Sequence, residues 1–313
     1  FPYSVACMPK LSLHPIWHTL MPAYQHTVGV GTHTLSAFAF LLMINKTPTP
    51  GKPFARYLMI LQAAITLVDL NFGFLASPIG LYPIPGGLCN GVLCTVFGIN
   101  GHYGITLMFF TVAFVAVSVL FCFHFKFIII LAMSKHQKVS MIYRVIFRVI
   151  ILLIYSFPCF IHMTIRRNYY PTLNYLFENP NYRTFVYDLT LYPANTIVLA
   201  TTTMVFFSIM ILAIFVAGFL VFGSFYLLSR QTASMSENTR KMQKKLMWLM
   251  LIQTLVPLTI QLSPLLVYAY SMIAVALTPD INNGIFCFQM THAFVHTAIV
   301  ILTTPSYREP LML

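Results

Sequence analysis

The sequence predicts an all-α membrane protein: a seven-transmembrane helix bundle, one domain over residues 1–313, with the N-terminus outside and the C-terminus cytoplasmic. Three observations carry this reading. The chain is 58% hydrophobic and only 8% charged, with a mean hydropathy of +0.81; a soluble domain carries about 25% charged residues. The apolar residues gather in seven stretches, each near or beyond the roughly 20 residues that a helix needs to cross a hydrocarbon core. Lys and Arg fall mostly in every second gap between those stretches.

The spans are read at Pro22–Asn45, Phe54–Tyr82, Val92–Phe125, Val145–Ile165, Thr196–Leu228, Leu246–Ile273 and Gly284–Thr304. Each is expected to be helical, because lipid cannot satisfy an exposed backbone. The third is longer than a bilayer needs. No half of the chain repeats the other, which counts against inverted-repeat transporters. The chain begins at Phe1 rather than Met, so a short preceding piece is expected, and nothing before Tyr24 reads as a cleavable signal peptide.

Orientation follows from the bases. Lys46, Lys52 and Arg56 lie between spans 1 and 2, and Lys126, Lys135, Lys138, Arg144 and Arg148 around the span 3–4 gap. Arg230, Arg240, Lys241, Lys244 and Lys245 lie between spans 5 and 6, and Arg308 in the tail. The other side holds only Lys10, Arg166, Arg167 and Arg183. Cytoplasmic loops retain Lys and Arg, so the first set marks the inside. The net charge of +12 is therefore an address beside anionic lipid and not a nucleic-acid surface. One consequence is directly measurable. The only Asn-x-Ser/Thr sequon, Asn45-Lys46-Thr47, falls inside. Glycosidase treatment is expected to leave electrophoretic mobility unchanged, and a shift would reverse the topology.

The segment Pro50–Leu93 reads PGKPFARYLMILQAAITLVDLNFGFLASPIGLYPIPGGLCNGVL. It resembles the nematode serpentine chemoreceptors, class I (Sri) most closely, with the sibling class H (Srh) next. The likeness rests on Phe54, Arg56-Tyr57-Leu58, Gln62, Asp69, Pro78, Pro83, Gly86-Gly87 and Gly91. It continues more loosely through Cys122-Phe123 with Lys126 at the inner end of span 3, Pro257 in span 6 and Pro305-Ser306-Tyr307-Arg308. The resemblance implies an odorant-type G-protein-coupled receptor. A small, volatile ligand, a heterotrimeric G protein and the lipid bilayer would be its partners, with no nucleic acid and no cofactor. It implies a multi-pass protein of the plasma membrane, in the sensory cilium of a neuron, and leaves room for a hetero-oligomer.

Departures from rhodopsin-type receptors are also legible. Span 3 ends in Phe125-Lys126-Phe127 without an acid–Arg pair, and span 7 ends in Thr304-Pro305-Ser306-Tyr307, too short for an Asn-Pro-x-x-Tyr turn. The Arg166–Asn195 loop has no Cys to receive a bridge from span 3. No Lys follows Lys245, so span 7 cannot hold retinal as a Schiff base.

Asp69, the one acid inside a span, is a candidate switch or ion site facing the interior, with Asn71, Asn100 or Ser77 as expected partners; a protonated structural acid is the alternative. Pro257 is the hinge candidate: proline removes a helix donor and kinks the helix, and the segment Arg240–Lys245 lies directly below it. Lys126, Arg240, Lys241, Lys244 and Lys245 are the candidates to face the G protein, against a plainer role in topology and lipid contact. His292 and His296 share a helix face, read as a polar helix contact rather than a metal site because no carboxylate or Cys accompanies them. In the outer loop Tyr169, Tyr170, Tyr182 and Tyr187, with Tyr175, Phe177, Phe185 and Tyr192, are candidates for a lid over an apolar ligand pocket or for an interface belt. Cys7 is placed to bridge to Cys89 or Cys94, with free thiols equally open.

A transporter or channel subunit is the alternative function, thinly supported by one intramembrane acid. An intramembrane enzyme is not expected, because no paired acid/base or metal constellation is present.

Overall fold

The computed structural model describes residues 14–80, 86–135, 140–164, 183–186, 193–230, 236–274 and 278–308. Among them are seven helices long and apolar enough to cross a membrane. Spans 1 to 6 are Trp17–Lys46, Lys52–Leu70, Gly101–Lys135, Met141–Met163, Pro193–Arg230 and Glu237–Ala274. Span 7 comes in two pieces, Pro279–Met290 and His292–Thr303, followed by a short helix Pro305–Arg308. Spans 5 and 6 have 38 residues each, about 57 Å at 1.5 Å per residue. A hydrocarbon core is about 30 Å thick, so both helices project well beyond it.

Two helix ends differ from the sequence reading, for backbone reasons. Span 2 was expected to reach Tyr82. It widens into a π turn over Asn71–Leu75 and stops there. Ser77 takes a φ of 44°, outside any right-handed helix, and Pro78 has no N–H to continue one. Span 3 was expected to begin at Val92. A single turn, Val92–Thr95, is broken at Gly98, whose φ of 71° suits a residue without a Cβ, and the long helix starts at Gly101. At its other end this helix runs on to Lys135, so Lys126 lies within the helix and not at its end.

The same break makes room for a feature the all-helical reading missed. β1 (Pro78–Gly80), β2 (Gly86–Cys89) and β3 (Arg183–Val186) form an antiparallel sheet in the order β1-β2-β3. Ile79 pairs with Leu88, and Gly87 with Phe185. Strand β3 lies between spans 4 and 5, so backbone pairing ties that connection to the span 2–3 hairpin, against span 3. We call the sheet-bearing end of the bundle its outer end, following the charge reading.

A Cys89–Cys94 disulfide, Cα atoms 5.9 Å apart, links β2 to the Val92–Thr95 turn. Of the alternatives left open by the sequence, neither a bridge from Cys7 nor free thiols at Cys89 and Cys94 holds; Cys7 itself lies outside the described residues. Six consecutive residues fold back on themselves because Gly91 lets the chain pass against the end of span 2. A Cβ at Gly91 would stand 2.2 Å from the Leu75 carbonyl oxygen.

Packing divides the interior into layers. In the inner half Leu58, Leu61, Phe123, Leu220, Met247 and Val300 form the largest apolar cluster. In the outer half Val68, Phe72, Val112, Phe206, Met210 and Met290 form a second. The perimeter is apolar as well: Phe215, Phe219 and Phe222 on span 5 are 72%, 70% and 73% exposed. In water such a surface would drive association. Facing lipid it costs nothing.

Candidate functional site

A set of buried polar side chains forms a ladder between spans 1, 2, 6 and 7. At the outer end Gln25 donates to the Pro78 carbonyl at 3.0 Å and accepts from the Ser77 hydroxyl. The side-chain amide of Asn283 meets both backbone groups of Gly80, at 3.1 and 3.0 Å. These bonds hold β1 between spans 1 and 7 and support the left-handed Ser77.

One layer inward, Asp69 is 1% exposed. Its nearest ionisable partner is His33 of span 1, with Oδ2 and Nδ1 3.7 Å apart, too far for a hydrogen bond. Thr32 interacts with the same carboxyl. The partners expected from sequence go elsewhere. Asn71 donates to the Gly104 carbonyl, Asn100 caps the start of span 3 through the His102 N–H, and Ser77 serves Gln25. Asn71 follows Asp69 by two residues and so lies on another face of the helix, while Ser77 and Asn100 lie beyond the end of span 2.

Next, the Gln62 amide donates to Ser36 of span 1 at 3.0 Å and to Thr297 of span 7 at 2.8 Å. Below it comes the hinge layer. Pro257 leaves the carbonyl of Gln253, four residues earlier, without its helical donor. His296 of span 7 supplies one, Nδ1 to oxygen at 3.0 Å. Because a carbonyl only accepts, this assigns the proton to Nδ1. The Gln253 side chain reaches span 7 too, 2.8 Å from the Thr303 hydroxyl. His292 does the same service one turn earlier, bonding the Gln289 carbonyl at 2.9 Å where span 7 breaks. Both histidines thus patch interrupted helices. His33 does not approach them; it faces Asp69 and the Phe74 ring.

At the inner end the Thr47 hydroxyl donates to the Met43 carbonyl at 2.6 Å and lies 2.8 Å from the Tyr307 hydroxyl. Thr47 has one proton, so Tyr307 must donate to it. Burial pushes the Tyr307 phenol above its ordinary range, with the Thr47 bond opposing. Span 6 begins at Glu237 rather than Leu246, and this places Arg240, Lys241, Lys244 and Lys245 on the helix below Pro257. Lys241 pairs with Glu237 at 2.7 Å, both exposed. Lys126 is placed differently: it is 6% exposed, with its ammonium 4.3 Å from the centre of the Phe54 ring.

The outer-half interior is apolar and aromatic. Phe72 packs on Phe286 at 4.9 Å and Phe109 on Phe206 at 5.2 Å. At the edge His162 stacks on His102, ring centres 4.7 Å apart, and lies 2.8 Å from the Thr106 hydroxyl. Tyr169, Tyr170, Tyr175, Phe177, Tyr182, Tyr187 and Tyr192 lie outside the described residues.

A family model, serpentine type 7TM GPCR chemoreceptor Sri, matches residues 14–311. The chain belongs to the Sri family of serpentine chemoreceptors. It is a G-protein-coupled chemoreceptor and a multi-pass membrane protein. No curated protein sequence matches this Sri receptor. Among solved structures it is similar to the crystal structure of squid rhodopsin, with a TM-score of 0.58 at 12% identity, covering 97% of the Sri chain and 89% of the other. That likeness is one of fold.

Sequence reading singled out His296 and Pro257 separately and passed over Gln253. The signal was available, since the residue four before a mid-helix proline always has an orphaned carbonyl. That His296 would supply the donor is decided by how spans 6 and 7 pack.

Proposed function

We propose that this Sri receptor binds a small, apolar external molecule in the outer half of the bundle and activates a heterotrimeric G protein at the inner end. The observation that carries the reading is the layered column beneath the aromatic cluster of Phe72, Phe109, Phe206 and Phe286. Directly inward lies the Pro257 kink, held to span 7 by His296, and below it the basic start of span 6. A ligand that repacks the aromatic layer would bias span 6 against span 7. Loss of the His296 bond would free the inner half to swing and present Arg240, Lys241, Lys244 and Lys245, with Lys126 reached once its packing against Phe54 opens. Asp69, beside His33 between spans 1 and 2, would act as a switch within the same column. The outer loop, anchored by β3, would close over the pocket with Tyr169, Tyr170, Tyr182 and Tyr187. The expected setting is the plasma membrane of a sensory cilium, N-terminus outside, alone or with a second receptor.

Ligand-dependent nucleotide exchange on a purified G protein tests this reading. Wild-type receptor is expected to accelerate exchange, and Lys241→Ala/Lys244→Ala/Lys245→Ala to lose most of the effect while ligand still binds. Ligand-gated current without any G protein would favour the channel alternative and overturn the receptor mechanism. A C-terminal tag accessible from outside the cell would overturn the orientation.

A further inference from the structure

The inner ends of spans 2, 3 and 4 concentrate positive charge that no acid among the described residues neutralises. Residues 70–177 contain no Asp or Glu. Asp69 faces span 1, and Glu237 already holds Lys241. In this acid-free region Lys126 and Arg148 converge on one strip of aromatic rings, with Arg144 one turn before Arg148 on span 4. Tyr57 stacks on Phe125 at 4.5 Å, and Phe54 on Phe125 at 6.3 Å. The Lys126 ammonium sits over Phe54. The Arg148 guanidinium sits 5.4 Å from the centre of Tyr57 and 5.9 Å from that of Phe121, and donates to the Tyr57 hydroxyl. Ring faces orient cations without cancelling their charge.

The donors are also incompletely used. The Nε atoms of Arg144 and Arg148 are buried and have no hydrogen-bond partner. On the facing side of span 3 lies His124. It is 1% exposed, stacked on Phe147 at 4.0 Å, with both ring nitrogens unpartnered and both guanidiniums in electrostatic reach. Arg144 and Arg148 are one turn apart and extend inward the face of span 4 that buries Ile151 and Tyr155. They therefore point at span 3, and two guanidinium forks on one face match the several acceptor oxygens of one phosphate. Burying such donors without an acceptor is costly.

We propose that this cluster is a binding site for the phosphorylated headgroup of an anionic inner-leaflet lipid, gripped by Arg144 and Arg148 with Lys126 and His124 at its edges. The lipid is favoured as the source because Ile142, Val145, Ile146 and Val149, on the other faces of the same helix turns, are 69%, 47%, 51% and 47% exposed. Span 4 is wrapped in acyl chains at this level, so an anion arriving beside it comes from the lipid interface. The inner-leaflet assignment rests on the orientation proposed above; the binding site does not, and the C-terminal tag separates the two.

Full-length receptor in nanodiscs of phosphatidylcholine doped with phosphatidylinositol bisphosphate would be released into native mass spectrometry, and retained lipid counted. Wild type is expected to keep the bisphosphate lipid in preference to phosphatidylcholine. Arg144→Gln/Arg148→Gln is expected to lower that retention on the order of thirtyfold, about what two interfacial charges contribute. Arg230→Gln/Arg308→Gln, which removes the same charge elsewhere, should leave it unchanged. If the glutamine pair does not fold, Arg144→Lys/Arg148→Lys keeps the charge but not the forks, and several-fold weaker retention is expected. Equal losses in the two glutamine pairs, no change in the lysine pair, or no preference in wild type would overturn the site. Soluble inositol trisphosphate binding as tightly in pure phosphatidylcholine discs would overturn the lipid as its source.

Discussion

Gly91→Ala is expected to keep the receptor from folding, although it adds one methyl group. The new Cβ would stand 2.2 Å from the Leu75 oxygen, 2.4 Å from the Leu75 carbon and 2.6 Å from the Ala76 carbon. All three are backbone atoms, at the point where span 2 ends and β1 begins. A flexible side chain could yield, but this backbone cannot without losing neighbouring bonds. The Gly91 N–H donates to the Ala76 carbonyl at 2.9 Å, and the Gly91 carbonyl accepts from Cys94 and Thr95 at 3.0 Å. Separation would break these bonds and displace the sheet that holds the outer loop. The expected cost exceeds about 3 kcal/mol, beyond ordinary overpacking. Monodispersity on size exclusion and thermal unfolding in detergent provide the readout. Gly31→Ala is the control: a Cβ there meets nothing within 4 Å, and alanine favours helix by up to about 1 kcal/mol, so stability should hold or rise. A Gly91→Ala receptor that melts with wild type would show that the backbone crossing is looser than drawn.

The second large effect lies at the Pro257 kink. His296→Phe preserves the ring and removes the donor, leaving the Gln253 carbonyl buried and unpaired at a cost of about 1–3 kcal/mol. Because the lost bond joins span 6 to span 7, the same change is expected to raise ligand-independent nucleotide exchange. Pro257→Ala restores an N–H four residues after Gln253. In that background His296→Phe should cost little, and basal exchange should fall back. The interaction between the two substitutions is therefore the measurement, read both in melting temperature and in basal exchange. Additive effects would show that His296 and Pro257 act independently, and the hinge would lose its latch.

Both sites show where sequence reading reached and where it stopped. Pro257 announces an orphaned carbonyl, but the donor comes from His296, on another span, and no periodicity within span 6 contains it. Gly91 was legible as part of a family-like string; its reason, contact with Leu75, exists only once the chain has folded back. Asp69 was recognisable as an unusual buried acid. Its neighbours, His33 and Thr32, could not be named from spacing, because they stand on span 1 and meet Asp69 only through the packing of spans 1 and 2. The sheet was missed because its strands are three or four residues long, as the spans of β1 and β2 show, and pair with a loop about a hundred residues away in sequence for β3. The pairing of Cys89 with Cys94 was not among the readings of the sequence, because it depends on the fold-back at Gly91.

Sequence by itself determined that this chain crosses a membrane seven times and which loops hold its cations. Hydrophobic burial and charge retention depend on local composition, and every residue in a span contributes to the same signal. Tertiary structure decided which polar groups meet: His33 with Asp69, His296 with the Gln253 carbonyl, Tyr307 with Thr47, and Arg148 with Tyr57. Each pairing joins residues from different spans or the segments that end them, set by helix rotation and depth to within an ångström or two. Hydrogen bonds and ring contacts are lost over that distance, while apolar burial in lipid barely changes. That difference in range is why the architecture could be read along the chain and the switch within it could not.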